Sequence, residues 1–313
     1  MTPIEAAFAR LRAANGRALV PYFTAGDPDL ETTRLLVEEA AARGADLIEL
    51  GLPFSDPLAD GPTIQRAGAR ALAGGVSLAK LLPVVETLRD RIAVPLLLMT
   101  YLNPLYRYGL EVAARDLARA GIAGLIVPDL PCDESGPLAR ATTAAGLDLV
   151  LLASPTSGPD RLRRIARQSR GFIYLVPLTG ITGEREALPS DLVALVRNLR
   201  AVTTRPICVG FGISTPAHVV EVVRWADGAI VGSAIVRLAE SLQGDPALVP
   251  RVGDFIAALK AATLFGGGAI TPPPTALPAK PGRSPFDERI GPASPRPTPP
   301  RSPELNQALG AGQ

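Results

Sequence analysis

Eight times between Ala18 and Val231 the chain follows a short, almost wholly apolar run with a longer connection, and that alternation limits the fold more than any single motif. The runs are Ala18 to Phe23, the segment around Glu49, Val94 to Met99, Ile122 to Val127, Leu147 to Ala153, Gly171 to Val176, Pro206 to Gly210 and Gly228 to Val231. Helical stretches such as Glu111 to Ala120, Glu134 to Ala145, Asp160 to Gln168 and Asp191 to Val202 separate them, so each crossover is long enough for parallel pairing. Eight β/α units over roughly 250 residues is the count of an α/β (β/α)8 TIM barrel. An open doubly wound sheet would need a GxGxxG turn after its first strand, and Thr24-Ala25-Gly26-Asp27-Pro28 stands there instead. The first sixteen residues, MTPIEAAFARLRAANG, read as an amphipathic N-terminal helix.

One catalytic domain over residues 1–264 is therefore expected, followed by a disordered tail over 265–313. Twelve prolines follow Thr271, and no apolar period accompanies them. PRPTPPRSP within the tail has polyproline character, but a solvated extension is the expectation. Charge is nearly balanced at +2 and scattered, which argues against a nucleic-acid or membrane partner and for a small molecule. No segment has the roughly 18 consecutive apolar residues of a membrane span, and the N-terminus does not read as a leader, so a cytoplasmic location is expected. Cys132 and Cys208 lack metal-like spacing and read as packing thiols. Lysine occurs only at Lys80, Lys260 and Lys280, and the sole histidine, His218, reads as a surface residue of a helix.

The chemistry concentrates in DLIELGLPFSDPLADGPTIQ, Asp46 to Gln65, where a buried-type strand runs into a loop and four acids, Asp46, Glu49, Asp56 and Asp60, fall close together. Glu49 sits among Leu47, Ile48 and Leu50, where an ionised group is costly, so its pKa should rise toward neutrality. Pro53, Pro57 and Pro62 stiffen the loop, while Gly51 and Gly61 give it freedom to turn. Asp60 stands just before a helix start at Gly61-Pro62, where it could serve only as a cap. On a polar loop it should stay ionised. ELGLPFSDPLADGPTIQ closely resembles the signature of the tryptophan synthase alpha subunit family. The resemblance covers about residues 1 to 262. It implies a TIM barrel, cleavage of indole-3-glycerol phosphate to indole and glyceraldehyde 3-phosphate, and catalytic roles for Glu49 and Asp60.

The turns VGFGIS and VGSAIV each open a helix after the last two strands, the place where barrels hold phosphate on backbone N–H groups. Gly212, Gly232 and Ser233 are the expected phosphate contacts, and the resemblance adds Gly183 from a flap, Leu178 to Arg185, in which Gly180 and Gly183 bracket Thr182. Pro177 departs from the serine of many relatives and should stiffen the hinge. Tyr22, Tyr101, Leu125 and Phe211 near strand ends, with Tyr174 deeper beside Glu49, are candidates for the apolar slot, as is Thr182 of the flap.

A Schiff-base aldolase needs a lysine at a strand end and a zinc aldolase needs imidazoles, so cleavage by general acid and base is the remaining route. Such cleavage requires a substrate that is its own electron sink, which an indole ring is. By resemblance the chain needs no cofactor of its own. Its partner is a beta subunit carrying pyridoxal phosphate in an alpha2-beta2 complex, docked on the rim around Pro53 and Asp56. A phosphosugar isomerase or cyclase would use the same phosphate turns but has no need of the acidic loop. An interaction subunit that only activates a partner would not need both carboxylates and both turns.

Overall fold

A computed structural model describes residues 1–176, 192–210 and 212–266. The chain opens with α1 (Pro3–Ala13), β1 (Ala18–Thr24), α2 (Leu30–Ala42) and β2 (Ile48–Gly51). Two helices, α3 (Pro62–Ala73) and α4 (Leu78–Arg89), fill the long connection to β3 (Leu96–Met99). Then come α5 (Leu102–Tyr108), α6 (Leu110–Ala120), β4 (Ile122–Ile126), α7 (Gly136–Ala145), β5 (Asp148–Ala153), α8 (Pro159–Gln168) and β6 (Ile173–Leu175). The last third holds α9 (Leu192–Arg200), β7 (Ile207–Gly210), α10 (Pro216–Val223), β8 (Gly228–Val231), α11 (Ser233–Ser241) and α12 (Leu248–Thr263). A 3-10 turn at Leu264–Gly266 carries regular backbone two residues past the expected end of the domain. The rest of the tail, the flap with Pro177, Thr182 and Gly183, and Phe211 lie outside the described residues.

All eight strands pair in parallel, each with its sequence neighbours, and β1 closes on β8 with Ala18 opposite Gly228 and Pro21 opposite Val231. The barrel expected from the alternation is thus the fold. Period-2 alternation divides the strand residues between two cores. Ile48, Leu50, Leu98, Leu151, Ile173, Val209 and Val231 face outward and pack with the helices. Val20, Leu47, Leu97, Val150, Tyr174, Cys208 and Ile230 face inward.

The inner core is sealed at its N-terminal end by α1. Thr2 and Glu5 form a reciprocal capping box there, with N–H bonds of 2.9 and 3.2 Å that start the helix cleanly. The Thr2 hydroxyl also donates to the buried Asp148 carboxylate at 2.6 Å, which pins the helix to β5. Ile4, Ala7 and Phe8 then enter the inner core, where the Phe8 and Phe172 rings meet at 5.8 Å. At the same end of the barrel Asp46 accepts the Leu19 N–H at 2.8 Å and pairs with Lys260 at 2.6 Å, so this acid braces strands rather than serving the mouth.

One strand breaks the alternation. β4 has a register shift opposite Leu96/Leu97, so that Leu96 faces Ile122 while Leu97 faces Gly124. The extra residue switches parity. Leu125 therefore joins the outer core, fully buried against the helices, and Ile126 takes the inward place.

Candidate active site

At the C-terminal mouth of the barrel a cavity of about 280 Å³ is lined by Tyr22, Glu49, Asp60, Tyr174, Gly212, Gly232 and Ser233, all singled out from the sequence. Its apolar wall comes from Ile64, Met99, Leu152, Val176 and Ile230, and Arg237 of α11 also reaches it. The sequence reading missed these. Met99, Leu152, Val176 and Ile230 are the inward residues at strand ends, and counting in twos from Leu97, Val150 and Tyr174 finds the first three. Leu125 is the correction: the shift in β4 turns it away from the cavity, so it is not a lining residue.

Glu49 projects inward from β2, its backbone in register with Tyr22 on one side and Leu97 on the other. Only 1% of it is exposed, and its Oε2 is buried without a hydrogen-bond partner. Burial, helped by the nearby charge of Asp60, pushes its carboxyl up to about 8. A carboxyl so placed keeps its proton at neutral pH in the wall of the cavity.

Asp60 comes from the loop between β2 and α3. Gly61 is the N-cap of α3 and Pro62 its first residue, with no side-chain cap, so helix capping is not the role of the aspartate. Tyr101 holds it instead. The tyrosine hydroxyl accepts the Ala59 N–H at 2.9 Å, which holds the loop beside the ring, and it favours the ionised form of the Asp60 carboxyl. Burial lifts Asp60 to about 6 and the tyrosine bond opposes the rise, so the expected contrast survives at neutral pH although Asp60 is more perturbed than a polar loop suggested. Tyr101 is consequently a support for Asp60 rather than part of the cavity wall, and Phe54 packs on its ring at 5.2 Å.

Tyr22 and Tyr174 owe their places to glycines. A Cβ on Gly51 would lie 2.0 Å from the Tyr22 hydroxyl, and one on Gly210 would lie 2.4 Å from that of Tyr174. No side chain larger than hydrogen leaves room for either ring.

The two glycine-rich turns differ in what they offer an anion. α10 is capped by Thr215, whose side chain accepts the His218 N–H at 3.2 Å. α11 starts from Gly232 with no side-chain cap, so its first-turn N–H groups and positive dipole end are open to the cavity at Ser233 and Ala234. Gly212 has φ +76, a left-handed conformation that lets its turn bend toward the same space. His218 is a further correction, being only 8% exposed, because the capped first turn of α10 folds its Nδ1 back to within 3.4 Å of the Ser214 N–H and hydroxyl.

On the rim, Pro53 is half-buried and Asp56 exposed, its carboxylate accepting the Ser55 hydroxyl at 2.6 Å, and Leu58 beside them is 95% exposed. No single helix among the described residues is long and apolar enough to cross a membrane.

Known proteins resemble this chain closely. The family described as Tryptophan synthase alpha chain matches residues 8–263. A tryptophan synthase alpha chain of Citrifermentans bemidjiense is 50% identical over 266 residues, which is 85% of this chain and 99% of that one. The crystal structure of tryptophan synthase subunit alpha from Legionella pneumophila str. Paris superposes with a TM-score of 0.78 at 36% identity, covering 84% of this chain and 98% of its own. A chain of Mycobacterium tuberculosis tryptophan synthase gives 0.77 at 38% identity, over 83% and 97%.

Proposed function

This chain belongs to the tryptophan synthase alpha chain family, and on that premise we propose that Glu49 and Asp60 perform the retro-aldol cleavage of indole-3-glycerol phosphate to indole and D-glyceraldehyde 3-phosphate. One observation carries the assignment of roles. Within a single cavity the deeply buried Glu49 carboxyl and the less buried Asp60 carboxylate stand together beside a helix start without a side-chain cap.

Protonated Glu49 delivers its proton to C3 of the ring, and the positive charge that develops on the ring nitrogen is met by ionised Asp60, which accepts the ring N–H. The carboxylate left at Glu49 takes the proton of the side-chain hydroxyl. Its oxygen electrons form the aldehyde carbonyl, and the electrons of the breaking carbon–carbon bond neutralise the iminium of the ring. Glu49 ends protonated, ready for another cycle. The phosphate sits on the N–H groups of Ser233 and Ala234 beside Gly232 and on the Gly212 turn, with Gly183 as a further proposed contact, while Thr182 and Phe211 are proposed to contact the ring. Tyr22, Tyr174 and the apolar strand ends hold the ring.

The reaction as proposed uses neither a metal nor a Schiff base. In support, Lys260 is tied to Asp46 at the other end of the barrel, and Lys80 is not among the cavity-lining residues. The beta subunit, expected to carry pyridoxal phosphate in an alpha2-beta2 assembly in the cytoplasm, is proposed to dock on Pro53, Asp56 and the exposed Leu58.

The test is to incubate the purified protein with indole-3-glycerol phosphate and measure indole. Glu49→Gln and Asp60→Asn should each keep the fold and lower turnover by roughly 10²–10⁴-fold. Normal turnover by either variant removes that residue's role, and no indole from the native chain removes the reading.

A further inference from the structure

α3 and α11 both begin at the cavity, α3 just after Asp60 and α11 at Ser233. Farther along, they are joined by two arginine forks. Arg70 of α3 donates from Nε and Nη2 to the two carboxylate oxygens of Asp27, each at 2.8 Å, and from Nη1 to Glu240 of α11 at 2.7 Å. One turn earlier, Arg66 donates to both oxygens of Glu240 at 3.1 and 3.0 Å. Gln243, just past α11, donates a hydrogen bond from its side-chain amide to Asp27 at 3.0 Å. Asp27 itself lies on the loop after β1, so the cluster gathers three segments of the mouth.

We infer that Arg70 is a positioning residue for the lyase reaction, fixing the distance between Asp60 and the phosphate-holding end of α11. The inference rests on the proposed function, in which one substrate spans those two points.

An exposed ion pair contributes little and would leave nothing to propose. Here the Asp27 side chain is only 3% exposed and is gripped bidentately, a geometry that is rigid as well as strong. Arg70 has Nε and both terminal nitrogens engaged by carboxylates and does not line the cavity, so it is not itself a phosphate ligand. Two arginines face two carboxylates, and the cluster is neutral. Its effect on catalysis must then run through geometry. A substrate held at both ends converts a small displacement between α3 and α11 into misalignment of the reacting carbon, whereas a ligand held at one end does not feel it.

The test uses the full chain with Arg70→Lys, Arg70→Met and, as a control, Arg34→Met, which removes surface pairs with Glu31 and Glu38 on α2. Both Arg70 variants should lower kcat for indole-3-glycerol phosphate between about tenfold and a hundredfold. Their affinity for sn-glycerol 3-phosphate, which engages only the phosphate end, should fall far less than kcat does, and Arg34→Met should behave as the native chain. Native kcat in both Arg70 variants, or a loss of kcat equal to a loss of folded protein, overturns the inference.

A second readout needs no turnover. In the native chain sn-glycerol 3-phosphate should slow amide hydrogen exchange at 54–62, and in Arg70→Met it should not. Protection that persists in Arg70→Met overturns the positioning role whatever the kinetics. If the native chain makes no indole yet the exchange coupling is present and is lost in Arg70→Met, the lyase reading fails while the link between the helices stands. If the native chain shows no exchange response to sn-glycerol 3-phosphate, the positioning role fails, and the lyase reading still stands or falls on indole formation alone.

Discussion

A carboxyl buried in the barrel wall beside a second carboxylate keeps its proton far above the usual range, and Glu49 does so up to about 8 against an ordinary value of 4.5. Asp60, half-buried and held by Tyr101, ionises near 6. Activity requires the first protonated and the second ionised. The pH profile of kcat/KM should therefore fall below about 6, as Asp60 gains a proton, and above about 8, as Glu49 loses one. A profile flat from 5 to 9 would contradict the assignment. Stability has a linked dependence. The folded state holds the Glu49 proton more tightly than the unfolded chain, so this contribution to stability is full below about 4.5 and is lost as pH rises to about 8. Glu49→Gln has no such dependence. It should gain on the native chain by roughly 1.4 kcal/mol per pH unit across that window and by no more above it. Denaturant melts at pH 5 and pH 8 decide this, and a constant difference between the two proteins would refute it.

Single backbone features decide what each strand and helix presents to the cavity. Gly51 ends β2 where the Tyr22 ring crosses it. Gly51→Ala should displace that ring, destabilise the barrel by about 1–3 kcal/mol and lower activity. At Gly158, the N-cap of α8, where an added Cβ meets nothing within 4 Å, the same change should cost only about 0.5–1 kcal/mol through the weaker cap and leave activity unchanged. Comparing thermal melts and indole formation for the two variants checks both statements, and equal effects would show that the close contact does not matter. The sequence marked Gly51 only as a loop residue, because the reason for glycine lies on the neighbouring strand. The extra residue in β4 is equally silent in the sequence, since Ile122 to Val127 is apolar on both parities and no polar residue betrays the shift. Thr215 capping α10, with no counterpart before α11, separates two turns that look alike as glycine-rich strings.

Across the whole barrel, the end opposite the chemistry is closed by α1, whose Phe8 fills the inner core against Phe172. Phe8→Ala should cost roughly 3–5 kcal/mol while leaving kcat of the folded protein unchanged, because the cavity it makes lies at the far end from Glu49. Melting and kinetics on the same preparation test this, and a fall in kcat at full folding would mean that the plug reaches the site. The strand runs, their parallel pairing and the barrel were legible in the sequence because each depends on local period and on connection length. Glu49 and Asp60 stood out as candidates because a charge within an apolar strand and an acid on a proline-stiffened loop are anomalies that local propensity does not produce, while their catalytic roles came from the family resemblance. The inward face of Ile230, the removal of Leu125, the burial of His218 and the support that Tyr101 gives to Asp60 were settled only in three dimensions. Apart from His218, which its own capped helix turn holds, each depends on residues far apart in the chain meeting across the mouth or the barrel wall, where distance, burial and donor geometry set the outcome and the order of residues does not.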